Sequence, residues 1–173
     1  EKAGTEGLPV ISTFTDVAAD AWYADAVQWA VEHGITGGTS ATTFSPDASC
    51  TRAQMVTFLW RAAGSPEPIK SSTPFADVDA TAYYYEAMLW AVEQNITSGT
   101  SATTFSPDAV VTRSQTVTFL WRDAGSPPTA SGSSFMDVTA DAYYAEAVTW
   151  AASEDITSGT SAITFSPDAD CTR

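Results

Sequence analysis

Apolar residues recur at helical spacing in the segment DAWYADAVQWAVEHG, residues 20–34. Tyr23, Ala26, Val27, Ala30 and Val31 form one stripe, and Trp22 and Trp29 add bulk beside it. The pattern predicts a first helix that stops at Gly34, with Trp29 in the core. A second run, Met55, Val56, Phe58, Leu59, Trp60 and Ala62, makes an apolar surface so wide that its helix must be mostly buried. Thr51 and Gln54 read as a capping box at its start, and Gly64 and Pro66 end it. The connecting stretch ITGGTSATTFSPDA, residues 35–48, combines β-branched residues, glycines and Ser-Pro-Asp punctuation. It predicts an ordered loop, with room for a very short strand, pinned to the core by Phe44.

The same unit returns twice. Phe14, Phe75 and Phe135 are spaced by 61 and then 60 residues, as are Trp29, Trp90 and Trp150, and Arg52, Arg113 and Arg173. The helix-one stop recurs as Asn95 and Asp155, the other residue types that tolerate left-handed backbone. Thr112 and Gln115 repeat the capping box, Gly125 and Pro127 the second stop, and Phe105 and Phe165 the loop anchor. The chain therefore reads as an N-terminal extension (1–13), repeat one (14–64), a Gly/Ser/Pro-rich linker (65–74), repeat two (75–125), a second linker (126–134) and repeat three (135–173).

The predicted fold class is all-α in the main: helix, loop, helix, three times over, in a pseudo-threefold arrangement around a central helical bundle or as a short stack. The second helix of repeat three is absent from the sequence. Three accounts of that absence stay open: a piece cut from a longer chain, an N-terminal segment (Leu8, Val10, Ile11) folding into the gap, or a helix supplied by another chain.

Charge narrows the partners. With 21 acidic and 7 basic residues the formal net charge is −14, which repels nucleic acid and anionic membranes. No apolar run is long enough to span a bilayer, and the opening EKAGTEGLPVISTF lacks the basic and apolar stretches of a signal peptide, which leaves open a mature or excised piece of an exported protein. The sole histidine, His33, does not recur, and no nucleophile, base and orienting acid recur together, so no enzyme, cofactor or metal site is expected. Cys50 and Cys171 occupy one repeat position that holds Val111 in repeat two. That favours a small buried hydrophobe over a disulfide, which would require the equivalent sites to converge.

The capping box explains Thr51 and Gln54 but not Arg52. A cation in the first helical turn opposes the helix dipole, so a recurring arginine there predicts a carboxylate partner. Candidates are internal, from Asp47, Asp108 and Asp168 or Asp16, Asp77 and Asp137, or a ligand carboxylate reinforced by the helix N-terminal N–H groups. Trp22, Tyr83 and Tyr143 precede or open the first helix, where a ring either stacks on a sugar or is plain surface.

These elements together resemble the S-layer homology domain of bacterial cell-surface proteins. They are Phe-x-Asp-Val (14–17, 75–78, 135–138), an aromatic six positions after the Asp, an Ala-Val-x-Trp-Ala type helix, Ile-Thr-x-Gly, Phe-x-Pro and Thr-Arg. The resemblance implies a pseudo-trimeric helical module with grooves between repeats, binding secondary cell-wall polysaccharide, often pyruvylated, on a Gram-positive-type wall. It implies a noncatalytic, extracellular anchor for a larger surface protein. Arg52, Arg113 and Arg173 match the family's groove arginine, and Asp16, Asp77, Asp137, Trp22, Tyr83 and Tyr143 are further ligand candidates. The alternative is a protein-interaction or self-assembly module whose missing helix another chain supplies. Gln54 and Gln115 replace the family's acidic residue, and Gly-Thr-Ser-Ala-Thr (99–103) replaces its Gly-x-x-Asp-Gly loop.

Overall fold

The computed structural model describes residues 14–129 and 132–173, so Leu8, Val10 and Ile11 lie outside the described residues. Among these, five helices and no sheet are present: α1 (Ala24–Glu32), α2 (Arg52–Ala62), α3 (Tyr85–Glu93), α4 (Arg113–Asp123) and α5 (Ala145–Ser153). None of them is long and apolar enough to cross a membrane. The chain is all-α, and the predicted short strands reduce to isolated bridges, Ser49 with Thr172, Thr51 with Val110 and Thr112 with Asp170.

Two compact units are distinguished, one ending at Ala48 and including Arg173, the other running Ser49–Thr172. In the first, α1 buries Ala24 and Val27 against Phe14, Val17 and Phe44. In the second, α2 packs on α3 and on α4, and α4 packs on α5. Each second helix thus lies on the first helix of the following repeat. The core there gathers Met55, Val56 and Leu59 from α2 with Met88, Trp90 and Phe105.

Helix boundaries follow the local chemistry. Both capping boxes form: Thr51 accepts from the Gln54 N–H and Gln54 from the Thr51 N–H, and Thr112 and Gln115 do the same. Gly34, Asn95 and Asp155 adopt φ of 69°, 58° and 57°. The next residue's N–H then reaches back five positions, Ile35 to Ala30, Ile96 to Ala91 and Ile156 to Ala151, closing each helix end. Helix one starts later than its apolar stripe suggests. Successive tight turns, Ala21 N–H to Ala18 and Ala24 N–H to Ala21, occupy the stretch through Trp22 and Tyr23, and no side chain caps α1.

Trp29 departs from expectation. It is 53% exposed, whereas Trp90 is 6% exposed beneath the packing of α2 on α3. Trp29 instead lies on His33, 4.5 Å between ring centroids.

The loops carry the strictest backbone demand. Gly99 has φ +86°, and a β-carbon there would lie 2.6 Å from both the Phe75 ring and the Thr104 carbonyl oxygen. Gly99→Ala is therefore expected to lower unfolding free energy by about 2–5 kcal/mol, combining left-handed strain with overpacking. Urea titration of the variant against the parent reads this directly, and an unchanged midpoint would contradict it.

Just before the Thr-Arg pair of each repeat, three equivalent residues hydrogen-bond head to tail. Cys50 N–H donates to Cys171 C=O at 2.8 Å, Cys171 N–H to Val111 C=O at 2.9 Å, and Val111 N–H to Cys50 C=O at 2.9 Å.

Candidate functional site: an arginine-floored groove

The recurring arginines are held in one way. Arg52 Nε donates to the Phe105 carbonyl at 2.9 Å and Nη2 to Thr97 Oγ1 at 3.3 Å. Arg113 repeats this with the Phe165 carbonyl (2.9 Å) and Thr157 (3.4 Å), and Arg173 with the Phe44 carbonyl (3.0 Å) and Thr36 (3.2 Å). Each guanidinium also sits over the ring of the same Phe, 4.7–5.1 Å from its centroid. The Phe of the Phe-x-Pro motif thus presents both its carbonyl and its ring to the arginine.

Of the two expected carboxylate partners, the internal one is corrected: no described aspartate hydrogen-bonds Arg52 or Arg113. Among the described residues the polar partners of Arg52 and Arg113 are a carbonyl and a hydroxyl. The side-chain hydrogen bonds of Asp16, Asp77 and Asp137 go elsewhere, although the charges of Arg52 and Arg113 still help to lower the pKa of Asp77 and Asp137. Both oxygens of Asp16 accept backbone N–H groups, from Phe44 and Ser45; Asp77 does the same with Phe105 and Ser106, and Asp137 with Phe165 and Ser166. These bonds tie the start of each repeat to a loop serine at positive φ, Ser45, Ser106 or Ser166.

The helix N-terminus is also spent. Arg52 N–H donates to Ala109 C=O, Ala53 N–H to Pro107 C=O and Gln54 N–H to Thr51 Oγ1. The start of α4 is closed in the same manner by Ala169 and Pro167. At α2 and α4 the backbone donors anticipated for an anion are therefore taken up within the chain. Arg52 is 3% exposed, and burial pushes its pKa below the ordinary value, with Tyr143 and Asp77 nearby opposing the shift. It uses two of its five N–H donors.

Arg52 lines a groove of about 360 Å³ together with Thr97–Thr100, Gln115, Thr118, Phe119, Arg122 and Tyr143. All three repeats contribute. A neighbouring depression of about 610 Å³ shares Thr97, Ser98 and Arg122 and adds Lys70. Among the described residues no carboxylate lines either, in a chain with 21 acidic residues, while three of its seven basic residues do. Tyr143 is 62% exposed at the groove, backed edge-on by Tyr144 at 5.0 Å. Trp22 (93% exposed) and Tyr83 (63%) stand likewise on Tyr23 and Tyr84 but line neither depression.

Sequence reasoning missed Arg122 and Lys70. Arg122 donates to the Ile96 carbonyl at 3.1 Å from the last turn of α4, and the Trp-Arg pair it shares with Arg61 was the available signal. Among the described residues no cluster of three or more His, Cys, Asp or Glu is placed to hold a metal.

The three loop aspartates titrate alike. Backbone N–H donation from Phe44 and Phe165 leads in lowering Asp16 and Asp137; for Asp77 desolvation opposes, but the Phe105 and Ser106 N–H groups and Arg52 prevail. A depressed folded-state pKa stabilises above the unfolded value and is lost as pH falls through the folded one. Stability should therefore decline as pH drops past the ordinary aspartate value of 3.8. Denaturant midpoints from about pH 5 to about pH 2 check this, with Asp77→Asn flattening the decline. An equally steep profile in that variant would contradict the assignment.

The S-layer homology domain profile matches residues 13–56, 74–117 and 134–173. The chain belongs to the S-layer homology domain family, whose members anchor surface proteins to the bacterial cell wall. Similar proteins include an endoglucanase of Bacillus sp. (strain KSM-635), 36% identical over 59% of this chain and 10% of that protein. The surface-layer 125 kDa protein of Lysinibacillus sphaericus is 34% identical over 56% of this chain and 8% of its own length. A cell surface protein of Thermoanaerobacter kivui is 32% identical over 69% of this chain and 16% of its own. The chain thus spans at most 16% of these relatives. It is a wall- or surface-layer-associated module, and no catalytic domain is shown within it.

Proposed function

We propose that this chain holds an exported surface protein noncovalently on a Gram-positive-type wall by binding an acidic secondary cell-wall polysaccharide, such as a pyruvylated one, in grooves between repeats. The observation that carries this is a groove floored by Arg52 and flanked by Arg122, lined by no carboxylate among the described residues, in a protein of net charge −14. A ketal carboxylate meets the spare guanidinium donors, and the exposed face of Tyr143 takes a sugar ring. Arg113 and Arg173, held as Arg52 is, are the matching ligand candidates of their repeats in a pseudo-threefold arrangement. The head-to-tail ring at Cys50, Val111 and Cys171 supports that symmetry. Asp16, Asp77 and Asp137 act by fixing the loops that shape the grooves, and Trp22 and Tyr83 are stacking platforms like Tyr143.

Calorimetric titration with soluble wall polymer before and after mild-acid removal of its ketal groups tests the reading. Binding lost with the ketals is the expected result. Equal affinity for the neutral polymer would overturn it.

Trp29 favours a second reading. Its exposure, against the burial of the equivalent Trp90, marks a helix face suited to a helix of the α2 type from another chain. Light scattering across protein concentration distinguishes this: concentration-dependent oligomers support assembly, and a monomer throughout contradicts it.

A further inference from the structure

We infer that Cys50 and Cys171 are a disulfide-forming pair, a covalent staple joining the entrance of repeat one's second helix to the matching position in repeat three. The structure holds both as thiols. The proposal is independent of what the groove binds.

Backbone pairing carries the inference. Ser49 and Thr172 form an isolated antiparallel bridge, and Cys50 and Cys171 are the next residues inward from it. Cys50 N–H donates to Cys171 C=O at 2.8 Å. The two share this one bond, since the Cys171 N–H goes on to Val111, and a single backbone N–H···O=C bond at that length places the α-carbons of the two residues roughly 5–6.5 Å apart. That separation lies within the range a disulfide spans, roughly 4.4–6.8 Å. Packing agrees: Cys50 is buried in the core around Val56 and Val111, and half-buried Cys171 packs against that same cluster. The equivalent Val111 completes the ring, so repeat two contributes a methyl-bearing side chain where the other two bring sulfur.

Chemistry then orders the steps. Cys171 is the more accessible, so its thiolate attacks a small-molecule disulfide first. It forms a mixed disulfide, releasing one small thiolate and giving its own proton to water. The Cys50 thiolate then attacks the Cys171 sulfur, the mixed S–S bond breaks, and the second small thiolate leaves. Two protein thiols are oxidised and one small-molecule disulfide is reduced. The outside of a bacterial cell is a compartment in which such a bond persists.

The test incubates the full chain with oxidised glutathione under native conditions, then uses intact-mass analysis, thiol titration in denaturant and peptide mapping. The expected result is a monomer lighter by two hydrogens, no titratable thiol, and a crosslink between the segments carrying Cys50 and Cys171. Closure should run at least about tenfold faster in folded than in urea-unfolded protein, because folding supplies the proximity. Cys171→Ser should leave one titratable thiol or glutathione adduct at Cys50 and no crosslink. Persistent glutathione adducts on both cysteines of the parent, disulfide-linked dimers alone, or equal closure rates folded and unfolded would each overturn the proposal.

Discussion

Replacing Arg52 and Arg113 together by alanine is expected to abolish retention on polymer-bearing walls. A hydrogen bond to a charged group contributes about 1.5–3 kcal/mol, so each arginine lost should weaken binding by roughly 10- to 150-fold. The groove has no obvious substitute at Arg52's position, because Arg122 is already tied to the Ile96 carbonyl. The same change has a folding cost. Arg52 satisfies the Phe105 carbonyl from a buried site, and leaving that acceptor unpaired costs about 1–3 kcal/mol. Binding must therefore be compared only at temperatures where circular dichroism shows the variant folded. Arg122→Ala separates the effects further. It leaves the Arg52 bonds intact, so weakened polymer binding in a stable Arg122→Ala protein is the expected outcome. Full retention by the folded double variant would contradict the role given to the arginines.

Phe105→Ala should be the most destabilising single core change, at about 3–5 kcal/mol of unfolding free energy. Phe105 is fully buried, its ring packs on Phe75 at 5.9 Å and Tyr84 at 6.4 Å, and Arg52 lies over it at 5.1 Å. Truncation removes this packing and the surface on which the guanidinium rests, so polymer affinity should fall alongside stability. Equilibrium urea unfolding measures the first effect and calorimetric titration the second. A loss under about 1 kcal/mol would mean the loop collapses into the space left by the ring.

Much of this was legible in the chain because local backbone rules act within a few residues. The capping boxes at Thr51 and Thr112 and the left-handed stops at Gly34, Asn95 and Asp155 each depend on neighbours a short distance along the sequence. The arginine's partner was not legible, since a carbonyl belongs to every residue and carries no signature in the sequence. Asp16, Asp77 and Asp137 read as charges, whereas their work is to receive loop N–H groups 28 and 29 residues away. Trp29 and Trp90 occupy one repeat position and share one helical pattern, yet what covers them is decided by tertiary packing, to which periodicity is blind. The approach of Cys50 to Cys171 likewise arises only when residues 121 positions apart hydrogen-bond.

Retention on purified Gram-positive sacculi, with and without their secondary polymer stripped, tests anchoring most directly. The account predicts that the chain sediments with intact sacculi and stays in solution with stripped ones. Equal sedimentation with both, or with neither, would contradict it.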